Sequence, residues 1–162
     1  MATPDVSERI EVSRTLPAPP EAIFAVLTDP IGHVAIDSAG MLMDATGERV
    51  TAVGDQFVVH MDREALGDRP LGRYDVTVHI TAFEADGEIA WTIVGGIAKP
   101  PIGHVYGYRL EPADDGTLVT SYYDWSDIHP EWRARGIFPV ISEQALRNTL
   151  GILERVVRRG YR

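Results

Sequence analysis

From residue 49 to residue 126 the chain alternates apolar and polar side chains in six successive runs, and after residue 139 it changes to a helical period. The period-two runs are Arg49 to Val53, Asp55 to Arg63, Gly72 to Glu84, Glu88 to Gly95, His104 to Glu111 and Thr117 to Ser126. Gly54-Asp55, Asp86-Gly87 and Asp115-Gly116 interrupt them, and Asp-Gly steps suit tight hairpin turns, so the strands are expected to be sequential antiparallel neighbours. In the last segment Pro139 is able to start a helix, and Ile141, Ala145, Leu146, Thr149, Leu150, Leu153, Val156 and Val157 recur at three- and four-residue spacing. A helix from Pro139 to Arg159 would be about 30 Å long at 1.5 Å per residue, enough to cross a small domain. One such helix cannot cover a wide twisted sheet laid flat. The sheet must curl around it, and a cavity between the two is the expected result.

The amino-terminal part fits the same plan. Arg9 to Leu16 alternates as a strand, and Pro17, Pro19 and Pro20 end it. Pro20 suits a first helical turn with Glu21 beside the positive helix end, and Ala22 to Leu27 supply an apolar helix that Asp29-Pro30 stops. Ile31 to Ser38 reads as a second helical piece, broken by Ala39-Gly40. The expected fold class is α+β: about seven antiparallel strands curved around a long carboxyl-terminal helix, with one or two short helices after the first strand. Three stretches carry a family resemblance: IEVSRTLPAPPEAIFAVLTDP (Ile10 to Pro30), YRLEPADDGTLVTSYYDW (Tyr108 to Trp125) and the closing helix. In these the chain resembles the START-like helix-grip superfamily (SRPBCC, polyketide cyclase/dehydrase and lipid transport) over nearly its whole length. The resemblance implies one domain over residues 1–162 with an internal hydrophobic cavity. It implies no single activity, since members include lipid carriers, hormone receptors, polyketide cyclases and co-chaperone-like domains, and it supplies no family-wide catalytic motif.

Composition narrows the function classes. The chain has no cysteine, which removes disulfides, thiolate metal sites and cysteine nucleophiles, and fits a reducing compartment. A net charge of -9 disfavours nucleic acid and anionic membrane surfaces, and no basic stripe interleaves with aromatics. Met1 to Glu8 has no leader pattern, and the longest uncharged apolar stretch, Ile89 to Ala98, is too short to span a bilayer. A cytoplasmic protein without stable membrane insertion is expected. No phosphate-cradle, nucleophile-elbow or zinc-protease motif is present, so neither cofactor nor metal is expected.

Alternation assigns an inner face: Phe57, Val59 and Met61; Tyr74, Val76, Val78 and Ile80; Ile89, Trp91 and Ile93; Tyr106, Tyr108 and Leu110. In the last strand Val119, Ser121, Tyr123 and Trp125 form one face, and Leu118, Thr120, Tyr122 and Asp124 form a competing one, which a one-residue slip would exchange. Candidate ligand contacts are Phe57, Val59, Tyr74, Val76, Trp91, Ile93, Tyr106, Tyr108, Tyr123 and Trp125, with Ile141, Ala145 and Thr149 from the helix. The tyrosines and tryptophans pair an apolar ring with one hydrogen-bonding tip, which suits an oxygenated, largely apolar ligand. A tyrosine hydroxyl left without a partner in a dry core costs about 1–3 kcal/mol.

His104 shares a phase with Tyr106 and Tyr108 and is a candidate base at the cavity mouth, exchanging a proton near pH 7, with Tyr106 as an oxygen-polarising donor. His33 and Asp37, four apart, form either a base–orienter pair or a surface turn, while His60 and His79 fall on the polar phase. Three readings follow: a binder or carrier of a hydrophobic lipid, polyketide or aromatic compound; a polyketide cyclase or dehydratase-type enzyme in the same cavity; and a protein-interaction module. Homodimerisation through Trp132 to Pro139 is compatible with each.

Overall fold

Alternation in β1 (Arg9–Leu16) buries Val12 and Leu16 and turns Glu11, Ser13 and Thr15 to solvent. The computed structural model describes residues 7–162. The leader reading at the amino end falls mainly on residues 1–6, outside the described residues. After β1 the chain enters α1 (Pro20–Leu27), which starts on Pro20 with Glu21 in its first turn. Thr28 ends it, its hydroxyl donating to the Phe24 carbonyl at 2.9 Å. The next residue, Asp29, caps α2 (Pro30–Ala35) by accepting the Ile31 N–H at 3.1 Å.

Seven strands form one antiparallel sheet: β1, then β2 (Leu42–Thr46), β3 (Gln56–Asp62), β4 (Arg73–Glu84), β5 (Glu88–Gly95), β6 (Val105–Ala113) and β7 (Gly116–Asp124). The order across the sheet is β1-β7-β6-β5-β4-β3-β2. The chain therefore crosses from one edge to the other through α1 and α2, then meanders back until β7 pairs with β1. Register shifts at Thr77/Val78 and Ile80/Ala82 in β4 mark bulges that strengthen the local bend. Asp86 takes φ 58° in the turn before β5, a left-handed conformation that aspartate tolerates better than most residues.

The long helix α4 (Glu143–Arg159) closes the fold. Ser142 caps it by accepting the Ala145 N–H at 3.0 Å, Arg158 and Arg159 occupy its last turn, and Gly160 at φ 79° ends it. Leu146, Leu150, Leu153 and Val156 are its buried stripe, packing mainly toward β1, β7 and α1. Among the described residues no helix is long and apolar enough to cross a membrane.

Two boundaries differ from the sequence reading. The strand expected over Arg49 to Val53 is absent, and β2 forms at Leu42–Thr46 instead, pairing with β3. The Val50 N–H is taken by the Thr28 carbonyl, and the Asp55 carboxylate accepts the N–H groups of Thr51 and Ala52, so the three central donors of this segment are lost to a ladder. Gly54-Asp55 consequently leads into β3 rather than joining two strands. The last helix begins at Glu143 and not Pro139, because Ser142 supplies the cap while Phe138, Val140 and Ile141 pack against the core ahead of it. A short helix unforeseen from the sequence, α3 (Pro130–Arg133), starts where the His129 ring accepts the Glu131 N–H at 3.1 Å.

Candidate functional site

The concave face of β3–β7 carries the aromatic residues that alternation predicts to point inward. Val119, Ser121 and Tyr123 lie inside with Trp125, and Tyr122 lies outside, where Arg9 stacks 4.1 Å from its ring and its hydroxyl donates to Glu88. The slipped register for β7 is thereby excluded. Rings run in a row across the strands: Trp91 stacks on Tyr106 at 5.9 Å and 11°, Tyr106 meets Tyr123 at 4.8 Å, and Tyr123 stacks on Trp125 at 5.6 Å. Tyr108 closes against Trp91 at 5.9 Å.

Burial divides the candidate contacts. Phe57, Val59, Val76, Tyr108, Tyr123 and Trp125 are sealed in the core and form the wall. Tyr74, Trp91, Ile93 and Tyr106 keep part of their surface open. Phe138, Val140 and Ile141 pack against the same core, with the Phe138 ring 6.1 Å from His104. Ala145 and Thr149 are turned to the α2–β2 connection: the Thr149 hydroxyl donates toward Ser38 Oγ and the Ala145 carbonyl, so its proton is already used. Of two open surface depressions, of about 620 and 580 Å³, one lies beside Asp29 and Tyr161, and the other is bounded by Met43 and His60 together with Met61 and Tyr74 of the inward set.

His104 is 5% exposed, and its Nδ1 lies 2.8 Å from the Tyr123 hydroxyl. One hydrogen bond joins the Tyr123 phenol to the His104 imidazole. Burial lowers the His104 pKa from 6.5 to about 4. The ring is therefore neutral at pH 7, which corrects the expectation that it exchanges a proton there. Burial pushes the hydroxyls of Tyr106, Tyr108 and Tyr123 up, so they stay protonated donors.

The paired reading of His33 and Asp37 is also corrected. His33 is buried and donates from Nε2 to the Leu27 carbonyl at 2.8 Å, edge-on to Trp91 at 4.8 Å. Asp37 instead accepts the N–H groups of Ala39 and Leu42, both at 2.9 Å. Helical spacing put the two side chains on one face, but the tight packing of α2 on β3 and Trp91 drew the imidazole inward.

Alternation continued past β3 would have found a residue that the sequence reading missed. Arg63 follows Phe57, Val59 and Met61 in phase, and its side chain is 14% exposed. Its Nε donates to the Tyr74 hydroxyl at 2.9 Å. On the outer face, Thr46 Oγ1, His60 and Asp75 form a chain with both links at 2.8 Å, which copies the connectivity of a hydrolytic triad. Those side chains lie on open sheet, and His60 and Asp75 are 38% and 64% exposed, so the chain reads as cross-strand hydrogen bonding. Among the described residues no three His, Cys, Asp or Glu side chains are grouped so as to hold a metal.

An open antiparallel sheet gripping one long helix, with an aromatic concave face, defines a helix-grip protein. The chain belongs to the polyketide cyclase / dehydrase and lipid transport family, whose model matches residues 7–158. Solved structures share the fold. A Chromobacterium violaceum protein, CV1439, superposes with TM-score 0.65 at 16% identity, over 93% of this chain and 96% of that one. The Aha1 dimer of Colwellia psychrerythraea gives 0.61 at 17% identity, over 95% and 98%. DynU16, described as a putative protein in the dynemicin biosynthetic locus, gives 0.58 at 17% identity, over 95% of this chain and 48% of that one. Among curated proteins, none matches the sequence.

Proposed function

We propose that the protein binds a small, largely apolar organic molecule, a lipid, polyketide or other aromatic compound, against the concave face of its sheet. The observation that carries this reading is the partial exposure of Trp91, Ile93, Tyr106 and Tyr74 on a face whose neighbouring residues are sealed. Apolar area removed from water is worth about 25 cal/mol per Å², so useful affinity needs no catalytic group. Membership in a family described by lipid transport and polyketide chemistry supports the same reading. The test is titration with the neutral fluorophore N-phenyl-1-naphthylamine. Saturable binding at micromolar affinity or better is expected, and Trp91→Ala should weaken it about tenfold, the equivalent of about 60 Å² of lost contact. Absence of saturable binding overturns the reading.

A second reading, a cyclase or dehydratase acting on the same face, is favoured by the buried, hydrogen-bonded His104–Tyr123 pair beside Tyr106. Likeness to a protein from a biosynthetic locus points the same way. In that reading His104→Ala lowers turnover of a polyketide substrate about 10²–10⁴-fold with binding retained. An unchanged rate removes the histidine from the chemistry. The Aha1 dimer among the neighbours makes a homodimer compatible with either reading.

A further inference from the structure

The turn just past β3 and the start of β4 place one partly buried cation beside the aromatic face. Arg63 stands in the inward phase of β3, one step beyond Met61, which pairs with Tyr74 across the strands. Its guanidinium has five N–H donors. One goes to the Tyr74 hydroxyl, one to Asp68, and one lies against the Met41 thioether. Two N–H groups remain without an acceptor among the described residues. The Tyr74 oxygen accepts from Arg63 and keeps its hydroxyl hydrogen for a further acceptor. The carboxylate that balances Arg63 is on the outside: Asp68 is 48% exposed, whereas Arg63 is 14% exposed.

Resting on the apolar-binding reading above, we propose that Arg63, with the Tyr74 hydroxyl, is a subsite for the carboxylate of an otherwise apolar acid. A carboxylate offers two oxygens and several lone pairs to N–H and O–H donors that lack acceptors, and a planar guanidinium matches it in a bidentate fashion. An apolar tail attached to that carboxylate would run along Trp91 and Ile93.

The experiment is displacement of N-phenyl-1-naphthylamine by 2-naphthoate and by methyl 2-naphthoate, at a pH of about 7. The wild-type chain should bind the acid at least tenfold more tightly than the ester. Arg63→Met should abolish that preference while leaving the ester affinity within about twofold, and Tyr74→Phe should reduce it about threefold to tenfold. Equal displacement by acid and ester overturns the subsite and leaves the apolar reading intact. Equal weakening of both ligands by Arg63→Met also overturns it, since Arg63 would then only hold the strand ends together. The wild-type comparison stands even if Arg63→Met fails to fold. Failure of the fluorophore itself to bind overturns both proposals.

Discussion

Protonation of His104 should be a large source of pH-dependent stability between pH 6.5 and 4. In the folded protein burial holds its pKa at about 4, against 6.5 for an ordinary imidazole. Within that window the unfolded chain binds the proton and the folded chain does not, so stability falls as pH falls. The slope is about 1.4 kcal/mol per pH unit, giving a loss of about 3 kcal/mol by pH 4. The perturbation that isolates it is His104→Asn, which keeps an acceptor near the Nδ1 position for the Tyr123 hydroxyl but takes up no proton. Urea unfolding of both proteins at pH 7, 6, 5 and 4.5 is the assay. The wild type should lose about 2–3 kcal/mol more than the variant from pH 7 to 4.5, a relative fall in Tm of about 5–10 °C. His33, whose pKa burial also lowers, acts in the same direction but is present in both chains and cancels in the difference. Parallel pH profiles for the two proteins would refute the reasoning, because His104 would then titrate in a wet, ordinary environment.

Three further outcomes follow from packing. Gly107→Ala should destabilise by about 1–3 kcal/mol in thermal melts, since a Cβ there overlaps the Tyr122 ring, and Tyr122→Leu in the same chain should restore part of the loss; an unchanged Tm refutes the overlap. Leu150→Ala should cost about 2–5 kcal/mol in urea unfolding, because Leu150 is 1% exposed in the centre of the α4 stripe. Asp29→Ala removes the α2 cap together with the acceptor for the Tyr161 hydroxyl and Arg162, and should cost about 2 kcal/mol while exposing residues 160–162 to carboxypeptidase; unaltered digestion would show that the carboxyl end is held by other contacts.

The strands β3 to β7 were legible in the amino-acid sequence because alternation is a property of adjacent residues, and the Asp86 turn announced itself by chemistry that acts over four positions. The inward set from Phe57 to Tyr123 followed from the same periodicity, and would have included Arg63 had the phase been carried two residues further. The stripe of α4 was equally plain, although the Ser142 cap rather than Pro139 decides where the helix starts.

Other features have no local signal. Leu42–Thr46 becomes a strand because β3 offers it a free edge, while Arg49 to Val53 loses its three central donors to Thr28 and Asp55. His33 turns inward because Phe57 and Trp91, far along the chain, close around it. The low pKa of His104 arises from burial among Tyr106, Tyr123 and Phe138. By itself the sequence determined the elements and the face each one buries, since both are set by backbone geometry within a few residues. Only the tertiary structure decided which polar tips share one low-dielectric neighbourhood, because desolvation and charge depend on distance in space between segments that the chain separates by dozens of residues.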